Sequence, residues 1–116
     1  MRLIVCGGRT YDNEPLVRDE LAALVAAHGT GINVVHGAAP GADSLAARIA
    51  SEMGLATEAH PADWNAYGKS AGPRRNQEMA DGGADLCLAF PGGRGTADMI
   101  RRADAAGIPV KRVTDG

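Results

Sequence analysis

Aromatic residues, cysteine, long apolar runs and an excess of charge are all scarce in this chain of 116 residues. No apolar run approaches the roughly 18 residues that span a membrane, and residues 1–5 lack the charged and apolar regions of a signal peptide. We therefore expect a cytoplasmic protein without a membrane segment. The formal net charge of −2 also excludes the uniformly basic surface of a duplex DNA-binding domain.

The two cysteines, Cys6 and Cys87, stand in apolar runs far apart in the chain. This placement predicts buried, reduced thiols rather than a disulfide framework. No Cys-x-x-Cys pair exists, so a structural zinc site is not predicted and no residue is assigned to a metal.

Glycine, in contrast, is abundant, with 16 residues or about twice the average usage. Disorder does not explain this number, because 45% of the residues are apolar and form well-defined runs. We therefore expect the glycines at specific backbone positions of a folded chain.

Five strand-sized aliphatic runs alternate with alanine-rich stretches of helical spacing. The runs cover residues 3–6, 32–36, 55–59, 85–90 and 109–113. Continuously apolar strands are typical of a sheet that helices cover on both faces, with right-handed crossovers. We predict one α/β domain over residues 1–116, a Rossmann-like three-layer sandwich with a five-stranded, mostly parallel sheet.

The glycines divide into two groups by position. Six follow helical stretches, where a left-handed residue commonly ends a helix: Gly29, Gly31, Gly54, Gly82, Gly83 and Gly107. Nine follow the first four predicted strands: Gly7, Gly8, Gly37, Gly41, Gly68, Gly72, Gly92, Gly93 and Gly95. In an open parallel sheet the loops after the strands gather at one edge, where ligands bind.

The loop after the fourth strand, Pro91-Gly92-Gly93-Arg94-Gly95-Thr96, carries the sharpest local signal. Glycines allow close backbone approach, and the N–H groups and dipole at the start of the following helix favour an anion. A phosphate group is therefore the expected occupant, with Thr96 adding a hydroxyl. A plain tight turn before a helix is the alternative.

Two further glycine loops are expected at the same edge, around Gly7-Gly8 and around Gly37 to Asp43. Asp43 either caps the following helix or bonds a ribose hydroxyl. Basic residues also concentrate in or beside these loops, which favours a phosphorylated ligand over ordinary solvated charges. They are Arg9, Lys69, Arg74, Arg75 and Arg94.

All four aromatic residues, Tyr11, Trp64, Tyr67 and Phe90, fall at or just past predicted strand ends. Such side chains either stack on a nucleobase or cap a small core. Trp64 and Tyr67 belong to a long predicted loop, residues 60–72, that could close over a site.

Five segments, taken together and in order, resemble one family. The segments are Cys6-Gly7-Gly8-Arg9, His36-Gly37-Ala38-Ala39-Pro40-Gly41-Ala42-Asp43, Pro61-Ala62-Asp63-Trp64, Gly72-Pro73-Arg74-Arg75-Asn76 and Phe90-Pro91-Gly92-Gly93-Arg94-Gly95-Thr96. The chain resembles the YspA-like branch of the SLOG superfamily, named for the Smf/DprA and LOG proteins. The resemblance implies a Rossmann-like fold, a nucleotide or nucleotide-derived ligand at the carboxyl ends of the strands, and a dimer.

Within that superfamily, the LOG enzymes hydrolyse the N-glycosidic bond of nucleoside 5′-monophosphates. They carry Pro-Gly-Gly-x-Gly-Thr-x-x-Glu after an upstream Arg-x-x-x-Met. Arg75 and Met79 match the upstream motif and residues 91–96 match the glycine loop, but Met99 stands at the glutamate position. Cleavage of this bond needs a carboxylate, and methionine does not supply one. Asp98 is adjacent, although one position along a helix turns a side chain by about 100°.

These observations lead to three functional hypotheses. The first is binding of a nucleotide or related phosphorylated ligand, as in a sensor or sequestering protein, with no obligatory cofactor although magnesium could accompany the phosphates. The second is a LOG-type phosphoribohydrolase with Arg75, Asp98 and Asp43 as candidate catalytic residues. The third is a single-stranded DNA-binding module, which the Smf/DprA resemblance of residues 37–47 implies and the negative net charge disfavours.

The first hypothesis assigns ligand contacts to the glycine loops, to the neighbouring basic residues and to one aromatic residue. The predicted ligand-binding residues are Gly7, Gly8, Arg9, Gly37, Gly41, Asp43, Trp64, Arg74, Arg75, Asn76, Pro91, Gly92, Gly93, Arg94, Gly95 and Thr96.

Overall fold

The computed structural model describes residues 1–114, which form five strands and five helices. The strands are β1 (Arg2–Cys6), β2 (Asn33–His36), β3 (Ala56–Ala59), β4 (Leu86–Ala89) and β5 (Val110–Arg112). The helices are α1 (Glu14–His28), α2 (Ala42–Glu52), α3 (Trp64–Tyr67), α4 (Ala71–Asp81) and α5 (Arg94–Ala105). A short 3₁₀ turn, Gly68–Ser70, joins α3 to α4.

The five strands pair in the order β3-β2-β1-β4-β5, and every pair is parallel. Helices α1 and α2 pack on one face, against a core that includes Leu3 and Val5 of β1. Helices α4 and α5 pack on the other face, against Ile4 and its neighbours. Alternate residues of β1 therefore serve opposite cores. The predicted Rossmann-like three-layer sandwich is confirmed, and its sheet is entirely parallel.

Burial differs between central and edge strands. β1, β2 and β4 are buried almost throughout, as continuous apolar runs predict. In β3, however, Ala56, Thr57 and Ala59 are exposed, because this strand lies at the end of the sheet. Its Glu58 accepts two hydrogen bonds, of 2.8 and 3.1 Å, from the guanidinium of Arg2. The edge position of β3 therefore limits its burial, although α2 contacts it.

The segment predicted as a long loop, residues 60–72, is largely helical. Asp63 Oδ1 accepts a hydrogen bond of 3.1 Å from the backbone N of Ala66 and so caps the start of α3. Gly72 lies inside α4 and Gly95 inside α5, so neither is a loop glycine. The sequence around α3 lacks the apolar spacing by which a helix is recognised, and its start depends on a single capping side chain.

Four of the glycines predicted to end helices have positive φ: Gly29, Gly54, Gly83 and Gly107. The prediction is wrong for Gly82, whose φ is −68°, and for Gly31, which is not among the described residues with positive φ. In each case a neighbouring glycine, Gly83 or Gly29, already supplies the left-handed residue that turns the chain.

The carboxyl ends of β1 and β4 form the switch point of the sheet. From β1 the chain continues to β2 and β3 on one side, whereas from β4 it continues to β5 on the other. The loops that follow β1 and β4 therefore run to opposite sides of the sheet and leave a crevice between them. Such a crevice is the usual ligand position in open α/β sheets. Within residues 1–114, no helix combines the length and apolar character needed to cross a membrane.

Candidate ligand-binding site

A cavity of about 760 Å³ lies at this switch point. Its walls come from the loop after β1, the starts of α2 and α5, the inner face of α4, and Trp64 of α3. Twelve predicted site residues line it: Gly7, Gly8, Arg9, Asp43, Trp64, Arg75, Asn76, Gly93, Arg94, Gly95, Thr96 and Asp98. The parallel topology thus brings together loops that are distant in sequence.

Five predicted ligand-binding residues do not line this cavity: Gly37, Gly41, Arg74, Pro91 and Gly92. Pro91 and Gly92 instead line a smaller neighbouring cavity of about 550 Å³. Gly37 and Gly41 pack against other segments of the protein, namely Arg75 and the backbone of Gly8 and Arg9. Their role in the structure is close packing of the loops that form the walls.

The loops after β1 and β4 are joined through their backbones. Gly8 N donates a hydrogen bond of 2.9 Å to Pro91 O. A Cβ on Gly92 would collide with Thr96 Oγ1 and would lie 2.7 Å from Gly8 N. A Cβ on Gly93 or Gly95 would meet no atom within 4 Å. Gly92 is therefore required for loop packing, whereas Gly93 leaves open space beside the cavity.

Asp43, in the first turn of α2, organises the loop that precedes this helix. Its Oδ2 accepts hydrogen bonds from Gly37 N at 3.0 Å and from Ala39 N at 3.3 Å. Burial raises the pKa of this carboxyl group, although the two backbone hydrogen bonds act in the opposite direction. Oδ1 has no hydrogen-bond partner within the described chain, and the residue lines the cavity.

Arg75, in α4, contacts the same loop, which precedes α2. Its Nη1 donates a hydrogen bond of 2.6 Å to Gly37 O, and its Nε donates one of 2.9 Å to Asn76 Oδ1. Burial lowers the pKa of the guanidinium, but an arginine remains cationic at neutral pH. Asp43 lies close enough to favour this charge. Arg75 is therefore a fixed positive charge in the cavity wall.

Asp98 is tied into a polar network between α4 and α5. It accepts hydrogen bonds from Asn76 Nδ2 at 3.0 Å, Arg102 Nε at 2.9 Å and Arg101 Nη2 at 2.7 Å. Burial acts to raise the pKa of this carboxyl group, but the hydrogen bonds from Arg102 and Asn76 outweigh it and hold the pKa below its usual range. Asp98 is thus an ion-paired carboxylate.

Arg101 also lines the cavity, and the sequence reasoning missed it. Its spacing of three residues from Asp98 was the available signal, because residues three apart on a helix are neighbours. Met99, at the position of the LOG glutamate, is 1% exposed and packs with Met79 and Cys6 in the core under α4 and α5. These apolar side chains also line the cavity.

The exposed aromatic residues of α3 each lie beside an arginine. Arg9 Cζ lies 5.4 Å from the ring centre of Trp64 at the mouth of the cavity, and the Trp64 side chain is 47% exposed. Arg74 Cζ lies 4.3 Å from the ring centre of Tyr67, outside the cavity walls. Attraction between a guanidinium and an aromatic face stabilises both arrangements.

Positive charge predominates around the cavity. Five cationic side chains line it, Arg9, Lys69, Arg75, Arg94 and Arg101, against the two carboxylates Asp43 and Asp98. Lys69 and Arg94 form no ion pair or hydrogen bond through their side chains with any residue among 1–114. Over the same residues, no group of three or more His, Cys, Asp or Glu is placed to hold a metal ion.

Cys6 and Cys87 are free and buried, as predicted. Their Sγ atoms are 4.0 Å apart, and the hydrogen bond between the thiols, together with burial, raises the pKa of Cys6 well above its ordinary value. Cys6 pairs with Ala89 in the sheet register, two residues beyond Cys87. This offset separates the Cα atoms by about 8 Å, beyond the range of a disulfide.

The open parallel sheet and its cationic cleft define a Rossmann-like α/β protein with a ligand-sized cavity at the switch point. A family model described as "YspA, cpYpsA-related SLOG family" matches residues 1–67. The chain is also 45% identical over 116 residues to the "Gene 61 protein" of Mycobacterium phage D29, covering 94% of this chain and 93% of that protein. The protein belongs to the YspA, cpYpsA-related SLOG family, which confirms the resemblance seen in the sequence.

Proposed function

We propose that the protein binds a nucleotide, or a phosphorylated ligand derived from one, in the 760 Å³ cavity. The observation that carries this proposal is a pair of cations without carboxylate partners, Lys69 and Arg94, in the wall of a cavity that also includes the uncapped start of α5. A phosphate group would neutralise these charges and accept hydrogen bonds from the first N–H groups of the helix. Membership of the SLOG family supports the same ligand class.

The geometry also favours one orientation of the ligand. Gly93 and Gly95 leave space for a phosphate next to Thr96, which is 8% exposed and lines the cavity. Trp64, which also lines the cavity, offers a ring against which a nucleobase can stack. Arg9 already lies over that ring, so a stacked base either displaces Arg9 or enters between the two side chains.

Calorimetry with AMP, ADP, ADP-ribose and inorganic phosphate tests this proposal. We expect at least one nucleotide to bind and its affinity to fall as salt is added, because exposed charges attract less strongly at high ionic strength. Arg94→Gln should weaken binding severalfold. Arg112→Gln is the matched control, because Arg112 is an exposed arginine on β5 outside both cavities. If no ligand binds, or if both variants weaken binding equally, the proposal is wrong.

The second candidate function is hydrolysis of a nucleotide N-glycosidic bond, and one observation favours it. Asp43 is 6% exposed, lines the cavity, and has a carboxyl pKa that burial raises. A carboxyl group with a raised pKa in a cleft is suited to general acid–base catalysis. Asp98 is less suited, because two arginines hold it as an ion-paired carboxylate.

Release of free base or ribose 5-phosphate from nucleoside monophosphates distinguishes hydrolysis from binding alone. If the enzyme hypothesis is right, Asp43→Asn should abolish release. Asp98→Asn should reduce release less, because the carboxylate of Asp98 is already engaged by hydrogen bonds from Asn76 and Arg101. Calorimetry with the same variants separates loss of chemistry from loss of binding. No release by the wild-type protein would leave binding as the function.

A further inference from the structure

His36, the last residue of β2, is a buried histidine to which the proposed function gives no role. Its Nδ1 accepts a hydrogen bond of 3.0 Å from the backbone N of Ala38. A ring nitrogen accepts a hydrogen bond only while it carries no proton. His36 is therefore neutral in this arrangement, with its proton on Nε2.

The backbone of Ala38 needs a restraint of this kind. Its φ is 56°, and Ala38 is the only residue other than glycine with positive φ among residues 1–114. The left-handed region is unfavourable for alanine, because its Cβ approaches a carbonyl oxygen. Such a conformation persists only where the surrounding structure holds it, and the hydrogen bond to His36 Nδ1 is the contact that holds the N–H group of Ala38.

The loop between β2 and α2 has three consecutive backbone N–H groups that side chains bind. Gly37 N and Ala39 N donate to Asp43 Oδ2, and Ala38 N donates to His36 Nδ1. Both acceptors are titratable side chains. The conformation of this loop therefore depends on the protonation of its two acceptors, and His36 alone binds the residue with the unfavourable φ.

The same loop fixes a charge in the wall of the 760 Å³ cavity. The carbonyl oxygen of Gly37 accepts the hydrogen bond of 2.6 Å from Arg75 Nη1. Gly37 lies between His36 and Ala38, so a change in the turn at Ala38 moves this carbonyl group. The protonation of His36 is thus connected to the position of Arg75.

The surroundings of His36 favour the neutral ring at pH 7. Burial has the largest influence and lowers the pKa of His36, and the charge of His60, which follows β3, acts in the same direction. Asp43, on α2, favours the protonated ring. Cys6, at the end of β1, has a raised pKa and stays uncharged, and Arg75, from α4, stays cationic. Protonation therefore requires an acidic pH.

We propose that His36 is a pH-sensitive switch, whose protonation breaks the hydrogen bond with Ala38 N and releases the loop that holds Arg75 in the cavity wall. A proton from the solvent binds to Nδ1, both ring nitrogens become donors, and Nδ1 and Ala38 N then repel each other. The backbone leaves the left-handed turn. The effect on ligand affinity rests on the proposed function, whereas the release of the loop does not.

Amide hydrogen exchange, followed by NMR on the whole protein, tests the release of the loop directly. Protection factors correct the exchange rate for the intrinsic effect of pH and report the opening of a hydrogen bond. The protection factor of the Ala38 N–H group should fall about tenfold on acidification from pH 7.5 to pH 5, as expected when one hydrogen bond is lost. Its midpoint should coincide with the titration of the His36 ring in the wild type, which tests the same step without a variant.

His36→Asn separates His36 from the other titrating groups. The asparagine Oδ1 replaces Nδ1 as an acceptor for Ala38 N but takes up no proton in this pH range. The protection factor should therefore stay constant in this variant. His28→Asn is the matched control, because His28 is exposed at the end of α1 and outside the cavity, and this variant should behave as the wild type does.

Calorimetry with AMP, ADP and ADP-ribose connects the switch to the ligand site. The affinity for the nucleotides should decrease severalfold more on acidification in the wild type than in His36→Asn, because the wild type alone releases Arg75. The comparison removes the effect of protonating the phosphate groups of the ligand, which is the same for both proteins.

The outcomes separate the switch from the proposed function. If the Ala38 N–H group stays protected in the acid, or loses protection equally in His36→Asn, the switch is wrong. In the second case the release belongs to Asp43, whose pKa burial raises. If the loop opens but the affinity falls equally in both proteins, control of the ligand site is wrong. If protection changes as expected and no nucleotide binds at pH 7.5, the proposed function fails and the switch in the loop stands.

Discussion

The guanidinium of Arg75 occupies the space that a side chain at position 37 would need. Nη1 donates a hydrogen bond of 2.6 Å to Gly37 O, and a Cβ on Gly37 would lie 2.6 Å from Arg75 Cζ. The loop after β2 and the helix α4 are therefore held together by an arginine that only glycine can accommodate. This contact fixes a positive charge in the cavity wall.

Gly37→Ala should consequently lower both the stability and the affinity of the protein. The added methyl group forces the end of the Arg75 side chain to move and disrupts its hydrogen bond to Gly37 O, which we expect to cost about 0.5–1.5 kcal/mol in the free energy of unfolding, measured by urea denaturation. Gly31→Ala is the control, because a Cβ on Gly31 meets no atom within 4 Å. In an Arg75→Ala background the Gly37→Ala cost should shrink, since the collision is gone. An undiminished cost there would contradict the explanation.

Gly92 and Gly95 should respond to alanine in opposite directions. In Gly92→Ala the methyl group would collide with Thr96 and approach Gly8 N to 2.7 Å, so we expect a loss of about 1–3 kcal/mol. Gly95 lies in α5 with open space around its missing Cβ. Gly95→Ala should stabilise the protein by up to about 1 kcal/mol, because alanine favours a helix over glycine. Thermal unfolding of both variants checks this pair.

Gly93→Val should abolish ligand binding without loss of the fold. Gly93 has a φ of −101°, outside the left-handed region that favours glycine, and its Cβ position is free of protein atoms. A valine there fills the space in which we expect a phosphate. Far-UV circular dichroism and unfolding should match the wild type, whereas calorimetry should show binding reduced at least tenfold. Gly31→Val, remote from the cavity, should bind normally.

The ion pairs of His60 predict a specific dependence of stability on pH. Its ring nitrogens lie 2.6 Å from Glu58 Oε2 and 2.9 Å from Glu78 Oε1. Burial acts to lower the pKa of His60, but the hydrogen bonds to the two glutamates outweigh it and raise the pKa. The stabilisation is therefore complete below the ordinary histidine value of about 6.5 and is lost as pH rises through the raised pKa.

Urea denaturation should thus show that the free energy of unfolding decreases more between pH 6 and pH 9 for the wild type than for His60→Gln. The difference should stay below about 1 kcal/mol, since Glu78 is mostly exposed. The pKa of Glu58, which hydrogen bonds from Arg2 and His60 lower to about 2, lies far below this range. Burial lowers the pKa of His36, and the charge of His60 makes a smaller contribution in the same direction, so His36 titrates towards the acid end of this range in both proteins. If the free energy of unfolding decreases equally in the two proteins, the ion pairs of His60 do not contribute to the dependence of stability on pH.

The sequence predicted those features of the site that depend only on the topology of the sheet. Parallel strands place the loops containing Gly8, Asp43 and Gly93 at one edge, and the cavity lies there. The roles of adjacent residues were not predictable. Arg75 enters the cavity wall while Arg74 stacks on Tyr67, because one position along α4 turns a side chain by about 100°.

The two neighbouring glycines of the β4 loop illustrate a second limit. Gly92 is needed because Gly8 and Thr96 approach it, whereas Gly93 is surrounded by empty space. The close packing at Gly92 and the open space at Gly93 both depend on how other segments of the chain fold around this loop. A local sequence motif carries no information about that packing. The ion pair of Asp98 with Arg101 is different, because it joins residues three apart on α5 and the local sequence therefore carried a signal for it.

The position of Trp64 has a practical consequence for every binding experiment on this protein. The chain contains a single tryptophan, and its ring lies at the mouth of the cavity with Arg9 above it. All tryptophan fluorescence therefore comes from Trp64, and a ligand that displaces Arg9 would change the intensity or the wavelength of the emission. The protein carries its own optical reporter, so ligands can be screened by fluorescence without a label.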